Sequence, residues 1–385
     1  WSNIEYAILS PSGNIILPPT KLTNNSGGAL TNRDDLPSIA VAPDGTVGVV
    51  WWRYVYNAST DKHNLNIFFA TLNAAGTRLT GPTSITNNAV WATWSDYDVP
   101  GFDDPTIAAT SDNRFVIGWS DSREFPYPDR QQDDIWYAVR NTAGTSIRPP
   151  TALTFMGGSL HPVLNTLTNG KVILTWSDYG TNYYYQVYYA VLNSNGTIFK
   201  PAASPWVEAV TWGSHDAVQL KNGKVALAWG NGLGVEFSIL NSSYDVEGGI
   251  HVGNDDGPSD NVSVTTDASS HVIMTWISGN YNKQSYALGD STGTFLTDPM
   301  VYNTNLAFID VHRSGQGNAP YQGSLVISGN AGVTGATLNY PGGSTTASTS
   351  GNYSFLVPLG WSGTVTPIKA NYIFSPAHRT YSNVN

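Results

Sequence analysis

Two hydrophobic patterns alternate along residues 1–303. The first is a short apolar run, a polar turn and an alternating run that ends in tryptophan. It occupies residues 37–51 and recurs at 105–119, 162–176, 217–229 and 262–276, ending in Trp51, Trp119, Trp176, Trp229 and Trp276. Period-two alternation over such short runs predicts strands, not helices. Asp44-Gly45, Asn169-Gly170 and Asn222-Gly223 sit between the two runs, where a tight hairpin needs residues that tolerate positive φ. The second pattern is an aromatic-rich run closed by a polar turn, at residues 67–76, 135–144, 187–196, 235–241 and 284–293, with a sixth copy at 4–13. Pro18, Pro82, Pro149, Pro201 and Pro299 follow these copies, as suits an outer edge strand that lacks one N–H donor.

Four short strands per unit of roughly 50 residues predict an all-β fold, a five- or six-bladed β-propeller. Radial closure removes exposed sheet edges and is favoured over an open solenoid. Five inner hairpins against six outer ones place the start of the chain in mid-blade, and closure is expected from pairing of residues 4–17 with 306–311. The propeller is assigned to residues 1–313 and a Gly-rich linker to 314–320. Residues 321–385 form a small immunoglobulin-like β-sandwich, with strands expected at 324–328, 336–340, 353–357, 363–367 and 372–374.

Composition narrows the function. The 385 residues carry a formal net charge of −10, and 12% are aromatic. So aromatic a chain can bury a core and is not disordered. A Lys-poor acidic chain does not bind nucleic acid through phosphate charge. No apolar run is long enough to span a membrane as a helix. With no Cys there is neither a disulfide nor a thiolate metal site. Few Lys and Glu beside much Asn, Ser, Thr and Tyr suit an extracellular or cell-surface protein.

The repeated core, P-x-I-A-x-x-x-D-G-x-x-V-x-W followed by A-x-L-N-x-x-G, resembles bacterial secreted propeller repeats over residues 1–303. The tail is similar to carboxypeptidase-regulatory-like or transthyretin-like modules, through Gly351-Asn-Tyr-Ser-Phe, Gly360-Trp-Ser-Gly-Thr-Val-Thr-Pro and Tyr372-Ile-Phe-Ser-Pro. These resemblances imply export and a non-catalytic tail, and in that module a further strand normally follows residues 383–385. A half-blade at one end and a missing strand at the other would leave two open sheet edges. Strand addition from a second copy could fill them head to tail. The expectation is therefore an exported structural or adhesive scaffold, a filament subunit without enzymatic activity. The alternative is a glycan-active propeller, either a glycoside hydrolase of the five-bladed type or a non-catalytic lectin.

For that alternative the candidate face lies at the starts of the inner strands. Asp35, Asp104, His161, His215, Asp216 and Asp260 stand there. Loops after the signature tryptophans add aromatics such as Tyr54, Tyr56 and Tyr127 on the same side. Asp104-Pro105-Thr-Ile resembles the base motif of some arabinanase-like propellers. An Asp before Pro equally serves to start a strand. The signature tryptophans, recurring at one position, are expected to pack between blades. Trp52 and Trp94 fall outside that position and are candidates for stacking on sugar. No cofactor is expected. Asp133, Asp134, Asp255 and Asp256 offer hard oxygen ligands for Ca²⁺, without EF-hand spacing.

Overall fold

The computed structural model describes the chain apart from residues 1, 11–12, 27–29, 90, 92–101, 122–132, 156, 180–184, 206–213, 232–233, 254–258, 268, 279–282, 298–299, 303–323, 342, 359–360 and 385. It separates into two compact units, Trp1–Ala319 and Pro320–Asn385. No described helix is long and apolar enough to cross a membrane.

The first unit opens with a hairpin, β1 (Glu5–Leu9) and β2 (Ile15–Lys21), paired as a two-stranded sheet. Five four-stranded antiparallel sheets follow. Sheet 1 comprises β3 (Leu30–Val41), β4 (Val47–Asn57), β5 (Lys62–Leu72) and β6 (Arg78–Ser84). Sheet 2 comprises β7 (Phe102–Ala109), β8 (Arg114–Asp121), β9 (Asp134–Asn141) and β10 (Ser146–Ala152). Sheet 3 has β11 (Ser159–Thr166), β12 (Val172–Tyr179), β13 (Tyr185–Leu192) and β14 (Ile198–Ala203). Sheet 4 has β15 (His215–Gln219), β16 (Val225–Asn231), β17 (Gly234–Leu240) and β18 (Val246–Gly253). Sheet 5 has β19 (Ser259–Thr266), β20 (Val272–Ser278), β21 (Lys283–Gly289) and β22 (Met300–Tyr302). Within each sheet the strands neighbour one another in chain order, the meander consistent with a propeller.

Each signature tryptophan packs on the sheet before its own. Trp119 lies in a cluster with Ala40, Val50, Ile67 and Phe69 of sheet 1. Trp176 joins Val116, Tyr137 and Val139 of sheet 2. Trp229 joins Ile173, Tyr189 and Val191 of sheet 3, and Trp276 joins Ala226, Phe237 and Ile239 of sheet 4. Trp51 packs on Ile4 and Leu22, so the opening hairpin occupies the same place relative to sheet 1. All five indoles are at most 3% exposed. Burial of such large rings contributes to the adhesion between neighbouring sheets.

Polar contacts repeat with the same period. The Tyr137 hydroxyl donates to the Gly196 carbonyl of sheet 3 at 2.8 Å, and Tyr189 donates to the Tyr244 carbonyl of sheet 4 at 2.8 Å. Tyr6 of the opening hairpin donates to the Gly76 carbonyl of sheet 1 at 2.5 Å. Burial pushes the Tyr189 phenol up to about 12, so the donor proton stays in place. Gly76 and Gly196 close hairpin turns at φ 83° and 80°, where a side chain would be strained. A second latch joins outer strand to third strand. The Thr86 hydroxyl accepts from Ile67 N and donates to Asn66, and Thr154 does the same between Ile135 N and Asp134. Thr23, Ile4 and Asn3 reproduce it in the opening hairpin. That hairpin therefore has the build of an outer half-sheet. Its expected partner, 306–311, and the linker 314–320 lie outside the described residues.

Asp216 joins three sheets. Its carboxylate is 0% exposed; Oδ1 accepts from Asn165 Nδ2 at 3.2 Å and from Ala217 N at 2.7 Å, and Oδ2 accepts from Val264 N at 2.8 Å. A buried carboxylate survives only with such donors.

The second unit contains a two-stranded sheet of β23 (Ser324–Asn330) and β26 (Asn352–Pro358), and a four-stranded sheet in the order β25-β24-β27-β28, with β24 (Thr337–Tyr340), β25 (Gly343–Thr346), β27 (Trp361–Ile368) and β28 (Arg379–Val384). Ile327, Leu338, Phe355 and Val365 pack between them, and the rings of Tyr340 and Phe355 stack at 3.8 Å. Two strand expectations are corrected. Residues 372–374 form no strand, and Arg379–Val384 forms β28 against β27. β28 stands at the edge of its sheet.

Removing the Asp216 carboxylate strands buried donors, so Asp216→Ala is expected to cost about 3 kcal/mol. Tyr137→Phe, which loses one neutral hydrogen bond, should cost about 1 kcal/mol. Urea unfolding of the first unit's transition measures both.

Candidate functional site

The first strand of a sheet starts beside the end of the second and the start of the third, because all are antiparallel. These termini therefore share one edge. Near it the first strands carry a recurring irregularity. The register slips by one residue between Asp35 and Ser38, between Asp103 and Thr106, between Leu160 and Val163, and between Asp260 and Ser263. The residues in the slip before Pro37, Pro105 and Pro162 are Leu36, Asp104 and His161, with φ of 49°, 47° and 53°. A bulge with a left-handed residue re-aims that side chain and stores strain. Sheet 4 has no slip: His215 pairs directly with Trp229.

The bulges bring Asp104 and His161 together from adjacent sheets. His161 Nδ1 lies 2.5 Å from Asp104 Oδ2, and the side chains are 54% and 23% exposed. The pair is thus an accessible acid–imidazole couple at a strained backbone position. The remaining candidates are placed differently. Asp35 pairs with exposed Arg33 at 2.6 Å. Asp34 beside it is buried and holds Arg53 through two bonds, of 2.6 and 2.8 Å. His215 is buried, its Nδ1 3.2 Å from Ser177 Oγ. Asp216 is the inter-sheet staple described above. Trp52 is half-buried against the sheet 1–sheet 2 core. Trp94, Asp255 and Asp256 lie outside the described residues, as does the Asp260 side chain. Asp134 belongs to the Thr154 latch and also accepts from Gly157 N at 3.3 Å. Asp133 gives its carbonyl to Ser159 N. Among the described residues no three His, Asp or Glu converge as a metal site.

A further carboxyl was overlooked in the sequence. Asp178, the penultimate residue of β12, accepts from the hydroxyl of Ser159 at 2.8 Å, two positions before His161 on β11. Burial raises its pKa against the opposing Ser159 bond, and the nearby Asp134 charge raises it further. Burial and the Asp178 charge likewise raise Tyr188. The signal was available: Trp-Ser-Asp occurs at 119–121 and again at 176–178. Asp104 and Asp178 thus flank the start of β11, one bonded to an imidazole, the other kept toward its neutral form.

No family model matches the chain, and no curated protein matches it. Solved structures do. An α-L-arabinanase from Penicillium chrysogenum, solved with arabinobiose, is 14% identical at a TM-score of 0.45 and covers 67% of this chain and 77% of its own. A family 117 glycoside hydrolase from Zobellia galactanivorans is 10% identical at 0.41, covering 92% and 88%. An α-L-arabinofuranosidase from Fusarium graminearum is 13% identical at 0.44, covering 78% and 86%. The expectation of a chain without enzymatic activity is corrected by these neighbours, which are glycoside hydrolases. At such scores they assign no substrate to this chain.

Asp178 also makes a stability prediction. A native pKa above the unfolded value means that the native state binds the extra proton, so stability falls as pH rises from about 4 through the raised value. Asp178→Asn keeps a partner for Ser159 and carries no charge. It should raise the urea midpoint at pH 7 and leave it unchanged at pH 3.

Proposed function

We propose that the first unit is a glycan-active propeller, a glycoside hydrolase whose reacting groups stand at the junction of sheets 2 and 3. The observation that carries this reading is the contact of Asp104 with His161 on strained backbone, with Asp178 bonded to Ser159 two positions before His161 on β11. Glycoside hydrolysis needs two carboxyl groups in different protonation states. Burial holds Asp178 toward the protonated form that a general acid requires. Asp104 takes the carboxylate role, and His161 positions it. The glycoside hydrolases named above agree with the reading without carrying it.

Within it, the first unit has five complete blades preceded by an outer half-blade, and the second unit is an immunoglobulin-like module. The Lys-poor, Asn- and Tyr-rich composition supports export to the cell surface or medium.

Release of reducing ends from arabinan, xylan and their aryl glycosides tests the activity. Asp104→Asn and Asp178→Asn should each lower kcat by about 10²–10⁴. The loss in Asp178→Asn should come with loss of the alkaline limb of the pH profile. Turnover that survives both substitutions, or none on any glycan by the native chain, would overturn the proposal.

A further inference from the structure

Sheet 1 extends beyond its neighbours at the edge that carries the site. Strands β4 and β5 have 11 residues each, against 8 in β8 and β9. The added length holds an aromatic row. Trp52, Tyr54 and Tyr56 alternate on one face of β4, and His63 of β5 pairs opposite Tyr56. Ring centroids step 6.3 Å from Trp52 to Tyr54, 5.1 Å from Tyr54 to His63 and 4.8 Å from His63 to Tyr56. The Tyr54 hydroxyl is hydrogen-bonded to His63 Nδ1, and the Tyr56 hydroxyl donates to Asp61 at 3.1 Å. His63 is buried between the two tyrosines, which remain half-buried. From Trp52 to Tyr56 the row runs about 13 Å along the strand, longer than one sugar ring.

The row starts where the site lies. Asp35 pairs opposite Trp52, and Leu36 next to it occupies the bulge position held by Asp104 and His161 in sheets 2 and 3. The polar groups along the row suit hydroxyls and not anions. Arg33 lies over Trp52 at 5.7 Å but is ion-paired to Asp35, and Arg53 is ion-paired to Asp34. Burial lowers the His63 pKa, against the Asp61 charge, so the imidazole is neutral. The chain's net charge of −10 repels polyanions at long range.

We propose that this extension is a chain subsite, in which Trp52, Tyr54 and Tyr56 stack on successive rings of a linear, uncharged polysaccharide running away from the Asp104–His161 pair. The inference rests on the glycan-active reading and gives it a substrate class: polymers, not isolated disaccharides. Face-on stacking of sugar C–H groups on tyrosine provides adhesion, while the Arg33–Asp35 pair and the tyrosine hydroxyls orient ring hydroxyls.

Binding, measured apart from turnover, tests it. Affinity electrophoresis and calorimetry on the full chain would use linear arabinan, linear xylan, arabinobiose, xylobiose and polygalacturonate as probes. Tyr56→Ala is expected to weaken binding of at least one neutral polymer about fivefold to tenfold, with disaccharide binding unchanged. Tyr56→Phe, which keeps the ring, should retain polymer affinity and guards against a misfolded alanine variant. Equal affinity in native chain and Tyr56→Ala, equal losses on polymer and disaccharide, no polymer binding by the native chain, or preference for polygalacturonate would each overturn the subsite. Polymer binding that is lost in Tyr56→Ala while no glycan is ever hydrolysed would uphold the subsite and sink the hydrolase reading, so the two claims fail separately.

Discussion

Adhesion between neighbouring sheets is the constraint on which the first unit depends. A four-stranded sheet of short strands has two faces and cannot bury either alone. One tryptophan per sheet, always on the second strand and always turned to the preceding sheet, solves this with a single repeated residue. The ring covers a large apolar area, and its rigid indole fixes the spacing. The tyrosine hydroxyls then fix orientation, since a hydrogen bond to a turn carbonyl at 2.8 Å tolerates little sliding. Sheet 4 varies the theme. The stacking aromatic opposite the tryptophan, Phe68 in sheet 1 and Tyr188 in sheet 3, is there Glu236, which accepts the Trp229 indole N–H at 2.7 Å.

Rigid stacking is what allows strain at the edge. A left-handed Leu, Asp or His before proline costs of order 1–3 kcal/mol. Large cores on both faces of sheets 1 to 3 can carry that cost. The bulge has the same geometry in all three sheets but a different side chain in each: Leu36, Asp104 and His161. Scaffold and chemistry are thus separable along this strand. The backbone irregularity belongs to the repeat, and the residue placed on it belongs to the site.

That separation explains what could be read from the sequence. The hairpins, the tryptophan role and the outer half-sheet at the start were legible, because hydrophobic period and Asn-Gly turns report them directly. Asp104 and His161 were legible as candidates through their place before Pro105 and Pro162, but their contact was not, since it joins residues 57 apart across two sheets. Asp178 was not legible although Trp-Ser-Asp repeats, because its partner Ser159 lies on another strand, 19 residues away. Asp216 and Asp134 have partners that residue type and position do not reveal. Asp216 accepts from Val264 N of the next sheet, and Asp134 from Gly157 N of the loop before β11. In the second unit, β28 was missed because Arg379–Val384 is largely polar, with Arg379, Thr380 and Ser382 exposed, a strand held by pairing with little apolar signal.

The long hairpin of β4 and β5 needs support of its own. Extending β4 and β5 past the core pairs residues 52–57 with β3 on one side and β5 on the other, buries His63 and Asn64, and leaves Tyr54 and Tyr56 half-buried. Cross-strand aromatic pairs are the strongest such device in a two-sided ribbon. Tyr54, Tyr56 and His63 provide it, and Arg53 anchors the base by its two bonds to buried Asp34 while lying over Phe68 at 4.3 Å. An aromatic row that served stability alone would gain most by burying its rings fully. These tyrosines stay half-buried, with their hydroxyls tied to His63 and Asp61 at the rim of the site. Partial exposure of ordered, pre-positioned rings forgoes part of the burial energy, and a flat ligand that stacks on them recovers it without ordering new side chains.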